Sequence, residues 1–92
     1  MIQSFKDADV RELFETASSR RWASILTVAL RKLDQIEAAI NLADLRVPPG
    51  NRLEALKGDR AGQHSIRIND QYRICFVWKD DGAYQVEIAD FH

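Results

Sequence analysis

Trp22, Ile25, Leu26, Ala29, Leu33, Ile36 and Ile40 recur at steps of three and four residues, the spacing that lines one side of an α-helix. The stripe predicts one amphipathic helix of about 18–20 residues by that periodicity, with Ser18-Ser19 as its N-cap. A shorter helix precedes it. Asp9 followed by Glu12 has the form of a capping box, with Val10, Leu13 and Phe14 as the buried side. The link between the two helices is short, so they run antiparallel. Ahead of both, Ile2 to Phe5 reads as a short first strand.

The pattern breaks between Asp44 and Arg52, where Pro48-Pro49-Gly50-Asn51 cannot continue a helix. Gly58 and Gly62 flank a second turn. Beyond it the period falls to two. Ile66 and Ile68 alternate with Ser65, Arg67 and Asn69; Tyr72, Ile74, Phe76 and Trp78 alternate with Arg73, Cys75, Val77 and Lys79. Tyr84, Val86 and Ile88 continue as the buried row of a last strand. Asn69-Asp70-Gln71 and Asp80-Asp81-Gly82 are the two hairpin turns.

Helices first and an antiparallel meander after is an α+β arrangement: two N-terminal helices packed on one face of a twisted antiparallel sheet. The helices cover the row of Ile66, Ile68, Ile74, Phe76, Val86 and Ile88, and the other face is left to Arg67, Arg73 and their neighbours. A sheet with one wet, basic face is a reasonable platform for a phosphate chain.

Composition sharpens this reading in two places. The chain has 92 residues, 46% hydrophobic and 29% charged, which describes a single globular domain over residues 1–92. It lacks an apolar run of the roughly 20 residues a membrane helix needs, and its first residues lack the build of a signal peptide. Cys75, the single cysteine, has no internal disulfide partner. These features predict a cytoplasmic protein with no membrane contact. The net charge of −1 conceals a division. Residues 46–79 carry seven basic side chains against three acidic, whereas residues 80–92 carry four acidic and none basic. The middle third is the place for an anionic partner.

The candidate chemistry lies at the end of the chain. In Asp90-Phe91-His92 a carboxylate and an imidazole two residues apart share one side of an extended strand. Upstream runs the basic, glycine-marked stretch Leu53-Glu54-Ala55-Leu56-Lys57-Gly58-Asp59-Arg60. If the fold brings Lys57 to that terminus, an acid–base pair sits amid positive charge, a combination suited to a phosphodiester. His64 has the parity of Ile66 and reads as packing or a local hydrogen bond, and Trp22 and Trp78 read as core. Two histidines and one cysteine lie at no recognised zinc spacing, and no cofactor is expected.

Asn51 to Arg60, Gly62 to Asn69, Tyr72 to Trp78 and the closing Asp90-Phe91-His92, with Met1-Ile2-Gln3-Ser4-Phe5, resemble the HigB-type toxins of the RelE/ParE toxin–antitoxin superfamily. The resemblance covers nearly the whole chain. It implies a ribosome-dependent endoribonuclease that cleaves messenger RNA in the ribosomal A site without a metal, through a 2′,3′-cyclic phosphate. It also implies a helix-turn-helix antitoxin of the HigA type, with operator DNA bound only through the toxin–antitoxin complex. By resemblance Lys57, Asp90 and His92 match catalytic positions, and Arg73, counted with them, matches a basic residue placed near the scissile phosphate; Arg60, Arg67, Asn69 and Phe91 are the expected RNA-binding residues. Acid and base roles stay open between Asp90 and His92. Many relatives end in Asp-Tyr-His, so Phe91 has lost a phenolic hydroxyl but can still stack on a base. Glu54 stands where some relatives carry histidine. Two other readings of the same fold are a ParE-like toxin that poisons DNA gyrase without RNA chemistry, and a weakened toxin acting mainly as corepressor.

Overall fold

A computed structural model describes residues 1–91. Helix α1 spans Ala8–Thr16 and helix α2 spans Leu26–Ala38. Strands β1 (Glu54–Ala55), β2 (His64–Arg67), β3 (Tyr72–Lys79) and β4 (Gly82–Asp90) follow. Among the described residues they form one antiparallel sheet in the order β1-β2-β3-β4. The α+β architecture is therefore the expected one.

The core sits between the helices and one sheet face. Val10 and Leu13 of α1, Ala29, Leu33 and Ile36 of α2, and Ile66, Ile74, Phe76 and Val86 of the sheet are all fully buried. Burying each large apolar side chain contributes roughly 1.5–3 kcal/mol. The paired residues Ile66, Ile74 and Ile88 stand opposite one another in the ladder, so the period-two rows meet as one apolar layer.

Several local expectations change. The N-cap of α1 is Asp7, whose carboxylate accepts from the Val10 amide at 3.0 Å; Asp9 lies inside the first turn and pairs with Arg21 instead. Helix α2 has 13 residues, fewer than the stripe predicts. Ser19 Oγ takes the Trp22 amide at 3.0 Å, and a 3-10 turn over Ala23–Ile25 intervenes before α2 begins. At the other end Ala39 turns extended. The Asp44 carboxylate then accepts the amides of Ile40 and Asn41 at 2.9 and 3.1 Å. Ile40 thereby leaves the stripe and is 86% exposed.

Ile2 and Phe5 make only isolated parallel bridges, to Ala83 and Val86. The N-terminal segment thus lies along the β4 edge without forming a full strand. Strand β1, at the opposite edge, has two residues, too few for an alternation to reveal. Tyr84 is not in the buried row. Val77 pairs with Tyr84 and Cys75 with Glu87, so β4 carries an extra residue between those pairs. Gln85 takes φ 53° there, and Ser4 Oγ accepts its amide at 2.8 Å. This bulge shifts the alternation. Ala83 faces inward, fully buried, and Tyr84 turns outward to donate its hydroxyl to Asp81 at 2.6 Å. Gly82 pairs with Lys79 just beyond the Asp80-Asp81 turn. A Cβ on Gly82 would overlap the Met1 carbonyl, and its φ is +134°, so close approach as well as turn geometry requires glycine.

Candidate nucleic-acid interface

The sheet face away from the helices is built by the alternate strand positions. Ser65 and Arg67 of β2 lie opposite Cys75 and Arg73 of β3, which lie opposite Glu87 and Ala89 of β4. This face is not simply wet. Ser65 and Cys75 are fully buried beneath long charged side chains laid across them. Burial pushes the Cys75 thiol up to about 11, so it stays a packed, protonated group.

Arg73 is the best-fixed cation. Its Nε donates to Ser65 Oγ at 2.7 Å, and its Nη2 donates to the Arg52 carbonyl at 2.6 Å. Glu54 lies 3.7 Å away, and the Arg73 side chain is 12% exposed. Burial lowers its pKa from the usual arginine value, opposed by the neighbouring Glu54 charge; a guanidinium nonetheless stays charged. Its Nη1 makes no hydrogen bond among the described residues. A phosphate oxygen is a fitting acceptor for it.

Beside Arg73 opens a cleft of about 320 Å³ lined by Arg52, Arg67, Asn69, Asp70, Arg73 and Phe91. Arg67 pairs with Asp70 across the hairpin. Asn69 shapes that hairpin, accepting the amides of Gln71 and Tyr72 at 2.8 and 2.7 Å. The Phe91 amide donates to the Gln71 carbonyl at 2.6 Å. Arg60 is placed 5.7 Å from the Phe91 ring centre. It also donates to Gln63 and Glu87 at 3.1 and 3.2 Å, and Lys6 reaches the same Glu87 oxygen at 3.1 Å. Guanidinium groups around an aromatic ring form a surface that can hold phosphates and stack a base.

The predicted site residues separate into groups. Arg67, Asn69, Arg73 and Phe91 are brought together at the cleft, and Arg60 meets the Phe91 ring without lining the cleft. Lys57 is exposed at the start of the Gly58–Arg60 turn and does not line the cleft. Asp90 pairs with Tyr72 in the ladder, on the parity of Ile88 and thus opposite to Arg73. Its carboxylate accepts from Gln71 Nε2 at 3.1 Å. His92 lies outside the described residues. Arg52 and Ser65 were not singled out by sequence. Ser65 could be found from its alternation with Ile66, whereas Arg52 enters through a backbone bend at φ 47° that its sequence does not announce. No group of three or more His, Cys, Asp or Glu suited to a metal ion occurs among the described residues. No helix there is long and apolar enough to cross a membrane.

The fold recurs in solved structures. A chain of the YoeB-YefM complex from Staphylococcus aureus matches at a TM-score of 0.61 and 15% identity, covering 100% of this chain and 98% of that one. The two chains share one α+β fold. The chain belongs to the HigB-like toxins, the RelE-like toxins of type II toxin–antitoxin systems, whose family model matches residues 3–92. Toxin HigB-1 of Vibrio cholerae serotype O1 is 43% identical over 85 residues, 90% of each chain. Endoribonuclease HigB of Proteus vulgaris is 30% identical over 98 residues and spans 100% of both.

Proposed function

We propose that this chain is an endoribonuclease toxin, acting as one domain in the cytoplasm, that cuts messenger RNA in the ribosomal A site. The observation that carries this reading is the cleft of Arg52, Arg67 and Arg73 beside Phe91, in a family with a relative named an endoribonuclease. The scissile phosphate would rest on Arg73 Nη1 and Arg67, and the adjacent base would stack on Phe91. Asp90 and His92 divide the acid and base roles between them. One takes the proton from the ribose 2′-hydroxyl as its oxygen attacks phosphorus. The other protonates the departing 5′-oxygen, leaving a 2′,3′-cyclic phosphate and a free 5′-hydroxyl. Arg73 stabilises the charge of the phosphorane, and Lys57 joins it from outside the cleft once RNA is bound. All of these groups come from the protein, and no metal is required in this scheme. Because Asp90 and Arg73 lie on opposite parities of the sheet, the Asp90 carboxylate must turn around the end of β4 to serve a phosphate held at Arg73.

The partner is a HigA-type helix-turn-helix antitoxin, and operator DNA is met only through that complex. Primer extension on translated messages after brief induction tests the reading. Cuts phased with codons are expected. Intact RNA with accumulating gyrase–DNA breaks would transfer the chain to the gyrase-poisoning class. Substituting Lys57, Asp90 or His92 by alanine should restore growth in cells lacking the antitoxin. Full toxicity of all three soluble variants would remove them from the site.

A further inference from the structure

Lys32 of α2 is 6% exposed, a rare state for a lysine. Its Nζ donates to Asn51 Oδ1, a neutral acceptor, and it has no carboxylate partner among the described residues. Burial and the nearby charges of Arg31 and Arg67 lower its pKa. Asn51 is itself fully buried. Its Nδ2 donates to Gln35 Oε1 at 2.9 Å and Leu45 O at 3.1 Å, with Val47 O at 3.5 Å. One side chain thus ties α2 to the connection that leads into the sheet.

An asparagine amide has a donor and an acceptor end and can be turned either way. An ammonium only donates, so Lys32 requires Oδ1 toward itself and commits Nδ2 to the carbonyls. The next residue, Arg52, adopts φ 47° and offers its carbonyl to Arg73 Nη2. Asn51 stabilises the fold by satisfying the Leu45 carbonyl; what Lys32 adds is a demand on the orientation of its amide.

We infer that Lys32 and Asn51 are positioning residues that lock the Arg52 backbone and so aim the Arg73 guanidinium into the cleft. The inference rests on the phosphate-binding reading of that cleft, and neither residue touches the RNA. It separates two properties that a structural role would keep together, stability and the geometry of Arg73.

Two variants test it. Asn51→Asp keeps an acceptor for Lys32 but cannot donate to Leu45 and Val47. The double variant Lys32→Met with Asn51→Leu replaces the polar clamp by apolar volume. Each is measured for thermal stability, for solvent protection of the Arg73 Nε–H by nitrogen-15 NMR, and for binding of a short 2′-O-methyl oligoribonucleotide, which cannot be cleaved. The double variant should stay folded, with a modest loss of stability for the acceptors it leaves unpaired, yet lose Arg73 protection. Its binding should weaken on the order of ten- to a hundredfold, the worth of one hydrogen bond to a charged group. Asn51→Asp should change protection and binding in the same direction. Wild-type protection and binding in either folded variant would overturn the inference, and so would failure of both to fold, which would make the clamp part of the core alone. If the wild-type protein neither binds the probe nor cuts message, the proposed function falls, while Arg73 protection still decides on the clamp.

Discussion

The same three strands present two unlike faces. Toward the helices, Ile66, Ile74, Phe76 and Val86 are fully buried in a continuous apolar layer. On the reverse, Ser65 and Cys75 are equally buried, but under arginines whose ends hold carboxylates, carbonyls and a hydroxyl. Equal burial therefore serves different ends. The apolar layer gives stability by removing surface from water. The charged layer holds its cations in fixed positions, and most of their ion pairs involve exposed partners of small energetic worth. What distinguishes the faces is the cost of replacing their residues and what is lost on replacement.

The largest expected effect tests the apolar face. Phe76→Ala should cost about 3–5 kcal/mol of unfolding free energy, read from denaturant melts. If Arg73→Met cost as much stability, the division between faces would collapse. Arg73→Met should instead weaken oligoribonucleotide binding by about 1.5–3 kcal/mol, the worth of a hydrogen bond to a charged group, with a smaller change in stability. Arg67→Gln should lower the salt slope of RNA binding by about 0.7, one phosphate contact on a single strand; an unchanged slope would take Arg67 off the RNA path. Cys75, with its thiol pushed up to about 11, should resist alkylation at pH 8 in the native state and react once unfolded.

The smallest effect is a pH dependence. Lys32 titrates below its ordinary 10.5 in the folded chain, so the unfolded chain binds more protons between the two values. Its contribution to stability is therefore full above 10.5 and is lost as pH falls through the folded value. Relative to Lys32→Met, the wild-type protein should gain stability as pH rises toward 10.5. A flat difference across that window would mean that Lys32 is better solvated than its burial indicates.

Much of this was legible along the chain. The stripe from Trp22 to Ile36 and the alternation from Ile66 to Ile88 specify which sides are buried, because helix and strand periods are local. The parity that buries Ile88 also sets Asp90 apart from Arg73, a consequence already contained in the sequence. Phe91, one step further, falls on the cation side by the same rule. Tyr84 escaped the rule because a bulge at Gln85 rests on Ser4, a residue 81 positions away. Ile40 escaped it because Asp44 captures its amide and ends the helix run.

The sequence by itself determined the α+β class, the two hairpins and the family, since periodicity, turn chemistry and motif are properties of neighbouring residues. Only the tertiary structure decided that Arg52 joins Arg73 through its backbone, that Asn51 and Lys32 clamp the bend between them, and that Lys57 stands outside the cleft. These depend on contacts between segments distant in the chain, where an unmarked left-handed residue or a single buried amide sets where a charge points.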